Sequence, residues 1–180
     1  VIPTILAQLL GAFLGAGAIW FMYKDGLFPA GLPNIWATAP GAVFDTAYRT
    51  GDVRGAIGQY RLVVACVAEF FGTLLYILTH LAARERMGAK KNLALSAGLI
   101  GSMVTAIGLS LGGPSGFGIN PARDLGPRVW GMLMGTEGLF QGVYWLIPAI
   151  LIPMFAGALG VWLYDWLFDG WQHASDLMEG

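Results

Sequence analysis

Charge is scarce in this chain of 180 residues: 10 Lys and Arg against 11 Asp and Glu, 12% in all, for a formal net charge of −1. A balance that thin, with no basic block, excludes an electrostatic nucleic-acid partner. Cysteine is rarer still. Cys66 is the single one and sits in an apolar run, which rules out an intrachain disulfide and a Cys-based metal cluster. The two histidines, His80 and His173, have no metal-binding neighbour, so neither a metal site nor a cofactor is expected. Val1 is no initiator Met, and no basic region or cleavage site precedes the first apolar run, so the chain reads as a fragment and not as a natural start or a signal peptide. What is plentiful is apolar surface. At 56% hydrophobic with 27 Gly, the composition is too apolar and too poor in charge for a soluble domain of this length, and a membrane is its expected solvent.

Four apolar segments reach the roughly 20 residues that a bilayer crossing takes: 1–23, 62–83, 93–113 and 143–164. The stretch 24–61 between the first two is broken by Gly26, Pro29, Gly31, Pro33, Pro40 and Gly41, and is expected to be a loop with room for a short helix. Arg84, Arg86, Lys90 and Lys91 crowd the short link between the second and third spans, which places that link on the cytoplasmic side. Segments 24–61 and 114–142 then lie outside, and the tail from Asp165 inside. The first outside loop also carries four Lys/Arg, but they are spread along it and offset by three Asp.

One segment between the third and fourth spans is unlike the rest: Gly116-Phe117-Gly118-Ile119-Asn120-Pro121-Ala122-Arg123-Asp124-Leu125-Gly126-Pro127. Polar, irregular backbone and an Arg at membrane depth must be buried in protein or line a watery cavity. Residues 112–116, Gly-Gly-Pro-Ser-Gly, are expected to break the third helix. A new helix is expected at Pro121, with Asn120 as its cap and Asp124 in its first turn. From 121 to about 134 it would cover about 20 Å, half a membrane. A re-entrant loop ending in a half-helix follows, its N-terminus turned inward so that the helix dipole repels cations while Asn120 offers an amide to a hydroxyl. The plain alternative is a capped turn with no transport role.

That segment, complete from Gly116 to Pro127, resembles the signature of the major intrinsic proteins, and within them of the glycerol-conducting aquaglyceroporins. The resemblance runs from the first span to the last. It implies an all-α, aquaporin-like helical bundle with a re-entrant half-helix, in which residues 1–180 supply helices three to six of six and a first Asn-Pro-Ala half lies upstream of Val1. It implies a passive channel for glycerol, similar small uncharged solutes and water that excludes ions and protons. Multi-pass residence in the cell membrane, a homotetramer with one pore per subunit, and no cofactor are further implications. Carried over residue by residue, the selectivity filter falls on Gly108, Phe117 and Arg123, and the pore motif on Asn120, Pro121 and Ala122. Backbone carbonyls of Ser115, Gly116, Phe117 and Gly118 would line the pore if the descending strand is extended. Gly108 in place of the His usual in water-selective members, Phe117, Asp124, Arg128 and the Pro153-Met154 pair all resemble the glycerol branch. A polyol needs fixed hydrogen-bond partners on one wall and an apolar surface on the other; Arg123 and Phe117 suit those parts.

Glu69 lies mid-span, where a charge costs about 2.5 to 3.5 kcal/mol and so faces the bundle interior. By resemblance it supports the re-entrant loop through backbone N–H groups, with Gln8 and Asp124 as further loop support. The alternative for Glu69 is pairing with water or protonation in a cavity, and for Gln8 a simple interhelical bond. Gly11 and Gly15, and Gly157 and Gly160, read as small-residue seams between helices, and most of the seven Trp as interfacial belts. Two other functions remain in view, a water-selective channel and an inactive truncated remnant. A remote third is an intramembrane serine protease built on Gly113-Pro114-Ser115-Gly116, for which neither His80 nor His173 is placed as a base. No catalytic residue is expected.

Overall fold

The computed structural model describes residues 2–25, 36–39, 56–85 and 92–179, with side chains omitted at 56–61, 85 and 169–179. Most of the expected loop 24–61, and Arg86, Lys90 and Lys91, lie outside the described residues. The described residues form five α-helices: α1 (Ile2–Tyr23), α2 (Ala56–Glu85), α3 (Leu93–Ser115), α4 (Pro121–Leu133) and α5 (Ile152–Glu179), the last preceded by a π-helical turn, Ile147–Leu151. Among the described residues there is no strand. Among the described residues four stretches are long and apolar enough to cross a bilayer: Ile2–Tyr23, Leu62–Arg84, Leu93–Ser115 and Ile147–Phe168. Their outer faces expose large apolar side chains, among them Leu10, Phe21, Val63, Leu109, Phe155 and Trp162. So much apolar surface suits lipid and not water, and the chain is a multi-pass membrane protein.

The packing falls into two groups, α1 against α4 and α2 against both α3 and α5, with the π-helical turn touching α2, α4 and α5. Close approach of α1 and α4 depends on a missing side chain: a Cβ on Gly126 would sit 2.7 Å from the Cβ of Ala12 and 2.8 Å from the Phe13 nitrogen. Trp130 then packs against Gly17 and meets the ring of Phe13 edge-on at 5.0 Å. The seam on α1 therefore runs through Ala12, Ala16 and Gly17. Gly11 and Gly15, expected to form it, are exposed and face open space. The second expected seam is half present, since Gly160 packs on Ile77 while Gly157 faces the cavity described below. At the C-terminal end of α4, Ala16, Trp36 and Leu139 form a buried cluster with Trp20 and Trp130 packed around it.

Several boundaries differ from the sequence expectation, and α2 already begins at Ala56, inside the expected loop 24–61. Helix α3 does not break at 112–116 but carries Pro114 inside its last turn and ends at Ser115, where Gly116 (φ 84°) returns its N–H to the Gly112 carbonyl at 2.7 Å. A proline so near a C-terminus removes one backbone bond while its ring is accommodated beside two glycines, and the left-handed Gly116, not the proline, stops the helix. The fourth span starts at Ile147 and not 143, because residues 143–146 form turns held by Val143 carbonyl contacts to the N–H groups of Leu146 and Ile147. The expected inside tail from Asp165 continues as helix to Glu179.

Candidate functional site

The site is assembled at the junction of α3 and α4. Three of the four residues from 116 to 119 have positive φ: Gly116 at 84°, Phe117 at 60° and Ile119 at 43°. The connection is therefore a run of left-handed turns and not an extended strand. Two of these residues are not glycine, and Ile119 is β-branched, so the conformation is strained and needs external support. Glu69 supplies it. Its carboxylate, in a residue 1% exposed, accepts from the Gly118 N–H at 2.7 Å (Oε1) and the Ile119 N–H at 2.5 Å (Oε2). A Cβ on Gly118 would lie 3.0 Å from that carboxylate, so glycine is what lets the carboxylate approach.

Asn120 is extended and caps α4, its side-chain oxygen accepting from the Ala122 N–H at 3.0 Å, with Pro121 as the first helical residue. Asn120 lines a cavity of about 460 Å³, and its amide N–H₂ makes no hydrogen bond among the described residues. That cavity is bounded by Phe117 through Pro121 and by Arg123 on one side, and by Gln8 of α1, Thr73, Tyr76 and Ile77 of α2, Val104 of α3 and Pro153 and Gly157 of α5 on the others. Arg123 is exposed toward it and makes no hydrogen bond among the described residues. Ala122 is buried behind the motif.

Gly108 does not border the cavity. Its missing side chain is filled by the ring of Phe117, which would stand 3.3 Å from a Cβ there, so Gly108 acts by letting Phe117 lie back against α3. Ser115 and Gly116, expected to offer carbonyls to the pore, do not border this cavity either. Ser115 is the last residue of α3, its carbonyl accepts from the Tyr144 hydroxyl at 2.6 Å, and its own hydroxyl accepts from the Phe117 N–H at 3.2 Å. Burial, reinforced by the nearby Glu69 and Asp124 carboxylates, pushes the Tyr144 phenol well above its ordinary pKa and keeps it a donor. Gly118 does border the cavity, though its carbonyl accepts from the Asn120 N–H at 2.6 Å. Gln8 lines the cavity without a hydrogen bond among the described residues, so it does not hold the 116–119 segment.

Asp124 points the other way, into a buried hub. It accepts from both the N–H (2.6 Å) and the hydroxyl (2.5 Å) of Thr38, and from Nε of Arg128 at 2.8 Å. Arg128 also donates to the Leu139 carbonyl and, at 3.4 Å, to that of Thr38. Two separated segments, at Thr38 and at Leu139, thus close on the back of α4 through one ion pair, while Arg123, on another face of the same helix, makes no hydrogen bond among the described residues. The i, i+4 spacing of Asp124 and Arg128 was a readable signal for the pair; the part played by Thr38 and Tyr144 had none.

A family model, described as "Major intrinsic protein", matches residues 1–164. The chain belongs to the major intrinsic protein family. Among curated relatives, a probable glycerol uptake facilitator protein of Thermotoga maritima is 35% identical over 167 residues, covering 91% of this chain and 64% of that protein. Aquaglyceroporin-3 of Trypanosoma brucei brucei is 34% identical over 169 residues, covering 90% and 52%. The chain therefore spans about half to two thirds of the length of these major intrinsic proteins. The X-ray structure of the aquaglyceroporin from Plasmodium falciparum shares the fold with a TM-score of 0.68 at 21% identity, over 92% of this chain and 63% of that one.

Proposed function

We propose that this chain forms the larger part of a passive channel that lets glycerol, similar small uncharged solutes and water cross the cell membrane while excluding ions and protons. The observation that carries the reading is the two-sided cavity: Arg123 and the Asn120 amide as unpaired donors on one wall, with Phe117, Ile77, Val104 and Pro153 as apolar surface. A polyol presents a hydroxylated edge and a hydrocarbon edge, and such a slot matches both. The fixed charge of Arg123 and the positive N-terminal end of α4 both disfavour a cation at the same point. Names of relatives, glycerol uptake facilitator and aquaglyceroporin, point the same way.

Gly108 favours the polyol reading over a water-selective one, because a larger residue there would drive Phe117 into the cavity and narrow it. The protease reading draws no support from Ser115, which is 2% exposed and has no histidine bonded to its hydroxyl among the described residues. In this proposal Glu69 supports the loop, Asp124 supports the helix that carries the filter, and the link after Arg84 faces the cytoplasm. The functional unit is a homotetramer.

The test is stopped-flow light scattering on proteoliposomes holding the full-length protein. Glycerol entry well above that of protein-free liposomes, with no accompanying proton leak, is the expected result. Entry equal to the protein-free rate overturns the proposal.

A further inference from the structure

The segment that carries Phe117 has little stiffness of its own. Glycine stands at 112, 113, 116 and 118, so the backbone there is open to many conformations and its shape must be imposed by partners. Glu69 imposes it beyond Phe117 only, holding the N–H groups of Gly118 and Ile119. Phe117 itself depends on Ser115, whose hydroxyl accepts from the Phe117 N–H at 3.2 Å, the long end of the ordinary range, so a small movement of Ser115 breaks the bond. Ser115 is in turn fixed from outside its helix. Its carbonyl, one of those that a helix end leaves without an intrahelical donor, accepts from the Tyr144 hydroxyl at 2.6 Å. The other half of the same peptide, the Gly116 N–H, is bonded to the Gly112 carbonyl at 2.7 Å. Tyr144 stands on a firm base: Trp145 beside it meets Phe140 edge-on at 5.4 Å, and the carbonyl of the buried Leu139 accepts from Arg128. Phe117 is then pressed on α3, where a Cβ on Gly112 would lie 3.2 Å from the Cβ of Phe117.

We propose that Tyr144 and Ser115 are positioning residues for the Phe117 wall, and that through it they set the preference of the cavity for a polyol over water. The inference rests on the channel reading of the cavity. Neither residue borders that cavity, and both act through the backbone at 115–117. Without the Tyr144 hydroxyl the Ser115 carbonyl is left unpaired, a costly state that the neighbouring Gly116 lets the peptide escape by rotating. Rotation draws the Ser115 hydroxyl away from the Phe117 N–H and frees the ring to move over the cavity. A polyol must meet hydroxyl donors and apolar wall at once, so it is sensitive to that motion. Water needs only a hydrogen-bond partner and is less so.

The experiment uses the full-length protein in proteoliposomes and reads the ratio of glycerol to water permeability. Both fluxes scale with the number of folded channels, so a loss of folded protein alone leaves the ratio unmoved. Tyr144→Phe and Ser115→Ala each remove one hydroxyl at nearly constant shape, and each should lower the ratio about five-fold, the effect of one lost hydrogen bond. The double variant should be little worse than either single one, because the two bonds act in series; independent sites would multiply to about 25-fold. Unchanged ratios in both single variants, or a multiplied loss in the double, overturn the proposal. A second arm reads the wall without flux, by fluorine NMR of 4-fluorophenylalanine placed at 117 or, as a control, at Phe13 of α1. Tyr144→Phe should shift or split the line from 117 and leave that from 13 as it was. An unchanged line at 117, or equal changes at both positions, overturns the proposal. Wild-type glycerol entry at the protein-free rate, together with a change confined to 117, would sink the channel reading and uphold the positioning of Phe117.

Discussion

Replacing Glu69 by Gln should dismantle the turn at 117–119 without disturbing the helices around it. The carboxylate holds two backbone N–H groups at 2.7 and 2.5 Å, and hydrogen bonds to a charged acceptor contribute about 1.5 to 3 kcal/mol each. Against that stand positive φ at Phe117 and Ile119, each costing about 1 to 2 kcal/mol. The clamp and the strain are thus close to balance. Gln keeps one acceptor oxygen but turns an N–H₂ toward the other N–H, which loses one bond and leaves a buried donor unpaired, a loss of about 3 kcal/mol in all. With half its support gone the turn should relax toward negative φ, carrying Phe117 and Asn120 out of register with Arg123.

Two readouts separate this from general instability. Glycerol permeability of Glu69→Gln in proteoliposomes should fall at least ten-fold, while the protein still elutes as a single species from detergent and melts only several degrees lower. Glu69→Asp, whose shorter side chain cannot span both N–H groups, should behave as badly or worse. Permeability and melting both within error of wild type for Gln and Asp would refute the reasoning, since they would mean that the turn holds its own shape.

Other outcomes follow from single contacts. Gly108→His in the full-length protein should depress glycerol flux far more than water flux, because Phe117, 3.3 Å from the position of a Cβ, is pushed into the cavity; equal losses in paired stopped-flow runs would assign Gly108 to folding alone. Arg128→Met leaves Asp124 charged, buried and half-paired and should cost about 3 to 5 kcal/mol. Adding Asp124→Leu should recover part of that in thermal melts, and strict additivity would exclude the hub. Gly126→Val should separate α1 from α4, where a Cβ already meets the Phe13 nitrogen at 2.8 Å, and lower the yield of folded protein on size exclusion; wild-type yield and melting would contradict that close contact.

The fold was legible because membrane helices advertise themselves by length and apolarity, and because Asn120-Pro121 carries its own start signal in a cap followed by a proline. The half-helix and the spans could be read that way to within a few residues. What escaped is what tertiary contact decides. Pro114 looked like a breaker, but a proline in a last turn is tolerated and only the left-handed Gly116 ends α3. Positive φ at Phe117 and Ile119 has no local signature, since those residue types argue against it; the conformation exists because Glu69, 49 residues earlier, binds the N–H of Gly118 and also that of Ile119. Thr38 on Asp124 is likewise a partnership across 86 residues that no spacing announces.

The same two carboxylates explain how irregular backbone persists at membrane depth. Backbone N–H groups that leave a helix there must find an acceptor inside the protein, because lipid offers none. Glu69 provides that acceptor on the cavity side and Asp124 on the outer side, each spending its charge on fixed donors. With both acids committed, Arg123 has no hydrogen-bond partner among the described residues, and in the proposed channel its positive charge and its donors face the cavity. A carboxylate added to the cavity lining, as in Phe117→Asp, should therefore oppose both properties at once, lowering glycerol flux and raising cation leak in ion-flux assays on proteoliposomes. Cation exclusion that survives this change would place the barrier in the α4 dipole and not in Arg123.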